Sequence, residues 1–144
     1  MVNFLFQMLS FKMESVLSKI RFLLFEQPGG TFHPNGECFF SRKEARDNGY
    51  VYISLRTPWH ANPTTTTVHR AAKMLQQHTI FLEKKLDASH LCHNGKCYRL
   101  SHISLEPRHI NLSRRLCVAA NQCQGHGDDD GSYPNCLLDY RVAQ

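Results

Sequence analysis

A chain of 144 residues with 17 basic and 12 acidic side chains and an isoelectric point near 9.0 reads by length as one domain, long enough for a real core but a small one. The charge is uneven: residues 42–115 carry 13 basic against 5 acidic side chains, while 1–41 balance at 3 and 3 and 116–144 carry 1 against 4. The middle block is where a polyanion would sit, although charge alone does not identify one.

In chain order, Phe4, Leu5, Met8, Leu9, Val16, Leu17, Ile20, Leu23 and Leu24 recur at three- and four-residue steps, and Gln27-Pro28-Gly29-Gly30 stops the pattern. This predicts an amphipathic N-terminal helix over 1–27. Lys12, Glu14, Lys19 and Arg21 break the run well short of the ~20 apolar residues of a membrane span, and no small-residue cleavage site follows. Neither an anchor nor a secretory signal is expected. Phe6, Phe11 and Phe22 widen the apolar face, which suits core packing or burial against a partner helix.

Residues 37–57 read as a β-ribbon. Cys38-Phe39-Phe40 precedes a polar stretch, Asn48-Gly49 signals a turn, and Tyr50 to Leu55 is aromatic and β-branched. Arg42, Lys43, Arg46 and Arg56 on such a ribbon suit the major groove of DNA; a solvated sheet face is the alternative. Pro58 and Pro63 break the chain, and Thr64 to Thr67 are expected to cap a short helix running to about Gln77.

Residues 87–117 carry the densest chemistry. Asp87 to Cys92 predicts a strand, His93-Asn94-Gly95-Lys96 a turn, and Tyr98 to Leu105 a second strand. Pro107 at a first helical position then opens a helix with Asn111, Arg114 and Arg115. Cysteine and histidine are interleaved as C-x4-C-x4-H over Cys92, Cys97 and His102, and as C-x5-C-x2-H-x9-C over Cys117, Cys123, His126 and Cys136. A structural Zn²⁺ takes four nitrogen or sulfur ligands, and Cys38 is the one remaining cysteine that completes the first set. All six cysteines are then used in two zinc sites, the second a loop over 117–136. Three disulfides in a secreted domain are the competing reading.

The string Ala88-Ser89-His90-Leu91-Cys92-His93-Asn94, followed by Cys97, His102, Asn111 and Cys117, resembles the His-Cys box of homing endonucleases, members of the ββα-metal nuclease superfamily. The resemblance is strongest over about 30 residues and weaker from Cys38 to the end. Arg99 and Leu100 stand where the family commonly has an Asn-Pro pair. The resemblance implies that His90 is the general base, Asn111 the ligand of one catalytic Mg²⁺, and Arg56 the arginine that contacts the phosphate.

The expected architecture is therefore α+β: one small mixed, zinc-stabilised domain with a ββα core, a DNA-binding ribbon and an N-terminal helix. The expected function is a sequence-specific, Mg²⁺-dependent endonuclease that cuts double-stranded DNA as a homodimer, with Arg42, Lys43, Arg46, Arg56, Arg114 and Arg115 contacting DNA. It is expected to act inside the cell, in the nucleus if the source is eukaryotic. A catalytically inactive, zinc-stabilised DNA-binding protein derived from such a nuclease is the alternative, and the retained His90 and Asn111 separate the two. Because only Leu137 to Gln144 follow the last cysteine, the dimer surface is expected on the first helix, around Leu9, Met13, Val16 and Ile20.

Overall fold

The computed structural model describes residues 2–26, 31–32, 38–129 and 131–140. The expected helix stop at Gln27 to Gly30 and the ribbon's first residue, Glu37, lie outside them. Helix α1 (Val2–Arg21) runs on into a π-helical turn, Phe22–Glu26. Val16, Leu17, Ile20 and Leu24 recur at helical spacing and are buried, packed with Val68, Ala71 and Ala72 of α2 (Val68–Gln76). The alanines let the two helices approach closely. Each fully buried leucine or isoleucine in this seam stabilises the fold by roughly 1.5–3 kcal/mol. Val16 and Ile20, expected at a dimer surface, are thus core residues; their faces are already covered within the monomer.

Strands β1 (Thr31–Phe32) and β2 (Phe39–Phe40) pair antiparallel. The ribbon expected over 37–57 takes a different form. Strand β3 (Tyr52–Leu55) pairs antiparallel with β4 (Thr64–Thr67), Tyr52 opposite Thr67 and Leu55 opposite Thr64. Four β-branched threonines favour an extended strand, whereas residues 41–50 lack apolar alternation and form no strand. The turn at Asn48-Gly49 does form, with the Gly49 amide donating to Arg46 O at 2.8 Å and Gly49 at φ +82°. Ile53 and Leu55 point into the core and Ser54 outward, as strand alternation requires. Thr67 is the N-cap residue of α2 but makes no side-chain cap bond.

The expected strand, turn, strand, helix order is present. Strand β5 (Leu86–His90) pairs antiparallel with β6 (Ile103–Pro107), Asp87 opposite Glu106 and His90 opposite Ile103. The second strand starts later than its sequence suggests because Leu100–His102 forms a 3₁₀ turn. Helix α3 (Arg108–Ala120) follows, with Pro107 as its N-cap and Asn121 ending it in a left-handed conformation. A hairpin, β7 (His126–Asp128) with β8 (Gly131–Tyr133), and a 3₁₀ turn at Leu138–Tyr140 complete the described chain.

Tyr98 joins the helical layer to the ββα unit. Its ring packs edge-on against Phe25 and Phe39, and its hydroxyl donates to Leu24 O at 2.7 Å. The result is a mixed α+β domain with small antiparallel sheets. Among the described residues no helix is long and apolar enough to cross a membrane.

Candidate metal centres and active-site cleft

Cys38 enters just before β2, Cys92 and Cys97 flank the turn after β5, and His102 ends the 3₁₀ turn before β6. Their ligand atoms converge: Cys38 Sγ is 3.5 Å from Cys92 Sγ and 3.6 Å from His102 Nδ1, and Cys97 Sγ is 3.6 Å from that same nitrogen. All four residues are buried. Zn–S and Zn–N bonds of about 2.3 and 2.0 Å in a tetrahedron give edges of about 3.5 Å, so the cluster has the dimensions of a zinc site. The Leu91 amide bonds to His102 O and the Leu137 amide to Leu91 O, which ties strand, knuckle and C-terminal segment around it.

The second cluster repeats the pattern. Cys117, Cys123 and Cys136 each place Sγ 3.4 Å from His126 Nε2. Ser113 hydroxyl donates to Ile110 O at 2.7 Å, so its oxygen accepts from His126 Nδ1–H at 2.9 Å. That bond fixes the tautomer with Nε2 free to ligate. Three thiolates this close need a cation between them. Contacts with Cys92 and Cys97, followed by burial, push the Cys38 thiol well up, and burial pushes Cys136 up to about 12. The two Cys₃His clusters fit two structural zinc ions, and no cysteine is left for a disulfide.

Arg114, expected to face DNA, is instead a buried structural residue, 1% exposed. It makes two 2.7 Å bonds to the Glu106 carboxylate and donates to Pro134 O and Cys136 Sγ. It therefore links β6 to the second cluster. Four of its five N–H donors are committed in this way, and its charge is matched by the Glu106 carboxylate.

Between the first cluster and α3 lies a cleft of about 170 Å³ whose lining includes Tyr50, His90, His93, Asn111, Arg115 and part of Arg114. His90 and Asn111, 21 positions apart in sequence, meet here. His90 Nε2 lies 2.9 Å from Cys97 O. A carbonyl only accepts, so Nε2 carries the hydrogen and Nδ1 keeps a lone pair. Burial pulls the His90 pKa below the usual histidine value, favouring the neutral ring. Asn111 Nδ2 donates to Asp87 Oδ2 at 3.0 Å. Its Oδ1, on the other edge of the amide, makes no hydrogen bond among the described residues, an arrangement suited to a hard cation.

Tyr50 stacks on His90 with ring centroids 5.9 Å apart. The turn carrying it is pressed against Gly95, where a Cβ would come within 2.7 Å of Gly49 O. Beneath lies His69, a residue the sequence reading did not single out; its ring centroid is 4.1 Å from that of His90, and burial drives its pKa down to about 2. No spacing rule links a histidine at the start of α2 to the box. Arg115 is exposed and lines the cleft. Arg56 is exposed at the end of β3 and is not among the lining residues, and Arg42, Lys43 and Arg46 are exposed on the 41–50 loop. Arg46 sits 4.1 Å over the Tyr52 ring.

Residues 37–142 match the family model described as the zinc-binding loop region of homing endonuclease. No curated protein and no solved structure matches the chain.

Proposed function

Since the chain belongs to the His-Cys box homing endonuclease family, we propose that it is a sequence-specific, Mg²⁺-dependent DNA endonuclease, cutting both strands of a duplex as a homodimer. The observation that carries this reading is that His90 and Asn111 share one cleft, each with its reactive atom making no hydrogen bond among the described residues.

His90 Nδ1 takes a proton from water as the water oxygen bonds to phosphorus and the P–O3′ bond breaks; the departing oxygen is protonated by solvent. The Cys97 carbonyl holds the imidazole in the required tautomer throughout. Asn111 Oδ1 would hold a Mg²⁺ ion, which needs few protein ligands and when bound would supply positive charge at the leaving oxygen. Arg115 is the cation in the cleft best placed to hold a flanking phosphate, with Arg56, Arg42, Lys43 and Arg46 extending the duplex-contacting surface. Zinc serves the scaffold and takes no part in the chemistry.

His90→Ala and Asn111→Ala should each slow cleavage by about 10²- to 10⁴-fold while leaving duplex binding near wild type. A wild-type rate from either variant contradicts the assignment.

One cleft cuts one strand, so a break in both needs two copies about a two-fold axis and a roughly palindromic target. Phe4, Phe6 and Phe11 of α1, respectively 66%, 73% and 77% exposed, supply apolar surface for such an assembly. Phe6→Glu with Phe11→Glu should give a monomer that nicks instead of cutting, read by sedimentation and plasmid topology. A wild-type protein that stays monomeric on its target DNA rules the dimer out.

A further inference from the structure

Two carboxylates stand directly opposite each other on the β5–β6 ribbon, Asp87 and Glu106. Each grips one residue of α3, and those residues are three apart on a common helix face: Glu106 takes Arg114, and Asp87 takes Asn111. The Glu106 contact is fully buried and ties the helix to the sheet. The Asp87 contact is part-buried, and its partner Asn111 lines the cleft. Asp87 has a side chain 29% exposed, and its only other charged neighbour among the described ion pairs is Arg108, 4.0 Å away with a side chain 77% exposed.

We propose that Asp87 is a positioning residue for the cation-binding amide of Asn111, an inference that rests on the nuclease reading above. A carboxamide has nearly the same shape when flipped by 180°, but the flip exchanges its donor and acceptor edges. Only one orientation offers an oxygen to a cation. An ionised carboxylate accepts and cannot donate, so the Asp87 contact at 3.0 Å rejects the flipped amide, whose oxygen would face oxygen. Its negative charge also polarises the amide, adding electron density to Oδ1. A hydrogen bond to a charged partner shifts such an equilibrium by about ten- to hundredfold. Asp87 thereby sets how tightly the cleft holds a hard divalent cation without touching it.

The test uses Mn²⁺ as a spectroscopic stand-in for Mg²⁺, titrated into the zinc-loaded protein bound to uncleaved duplex in a His90→Ala background. In that background Asp87→Ala should weaken Mn²⁺ binding by about tenfold or more. Asp87→Asn, which keeps the shape and one acceptor but loses the charge and can itself flip, should weaken it by less. With His90 present, both should raise the metal concentration for half-maximal cleavage by the same factors, with the rate at saturating metal near wild type. Thermal stability of the Asp87→Asn protein should be unchanged, which separates positioning from folding. Mn²⁺ bound equally by the parent and both variants overturns the positioning role alone. A parent complex that binds no Mn²⁺ overturns this role and the nuclease reading together.

Discussion

Arg114 shows how one residue's surroundings decide its role. Glu106 is 0% and Arg114 1% exposed, and the pair is held by two 2.7 Å bonds. Removing one partner leaves an uncompensated buried charge, so Arg114→Ala should lower stability by about 3–5 kcal/mol in denaturant unfolding of the zinc-loaded protein. A loss under 1 kcal/mol would show that the pair is solvated. In the sequence, Arg114 and Arg115 look alike as neighbouring cations on a predicted helix. They differ because the Arg114 guanidinium is buried against the sheet carboxylate of Glu106 while Arg115 is exposed at the cleft, a distinction set by how α3 docks. The eight zinc-cluster residues were legible in advance because zinc ligation dictates their spacing, whereas His90 and Asn111 were singled out only through the resemblance to the His-Cys box. His69 was not, since nothing local to α2 marks its contact with His90.

Among the elements, β5, β6 and α3 could be read from turn residues and Pro107, and the shift of β6 to Ile103–Pro107 reflects the 3₁₀ turn that brings His102 to the first cluster. The partner of β3 could not. Four threonines suit a cap as well as a strand, and only their pairing with Tyr52–Leu55 resolves the choice. The basic residues assigned to a ribbon consequently sit on a loop, Arg42, Lys43 and Arg46 beside the turn that carries Tyr50, with Arg56 at the strand's end. Replacing each phosphate-contacting member by Gln should reduce the slope of log affinity against log salt by about 0.9. An unchanged slope and affinity across all four variants would place the duplex on another face.

At the scale of the whole molecule, the two Cys₃His clusters add ties beyond the hydrophobic core, which reaches the ββα unit through Tyr98 and Ile103. The first ties Cys38 to the β5–β6 unit, and the second ties α3 to β7 and the chain near Cys136. Zinc removal by a strong chelator should therefore unfold the ββα unit, and elemental analysis of the native protein should find about two zinc ions per chain. Binding of each ion releases thiol protons, so the stability conferred by zinc is greatest at neutral pH and falls as the solution is acidified. Retention of native circular dichroism in a protein shown to be zinc-free would refute this role.

In the proposed nuclease, a zinc-built scaffold brings His90 and Asn111 together to hydrolyse DNA. The most direct test is sequencing of the ends released from a randomised duplex library by the zinc-loaded protein in Mg²⁺, alongside the His90→Ala variant. Ends clustered at one roughly palindromic motif are expected for the wild type, and retained duplex binding with at least a hundredfold fewer ends for the variant. Equal cleavage by both proteins, or no cleavage by the wild type, would contradict this reading.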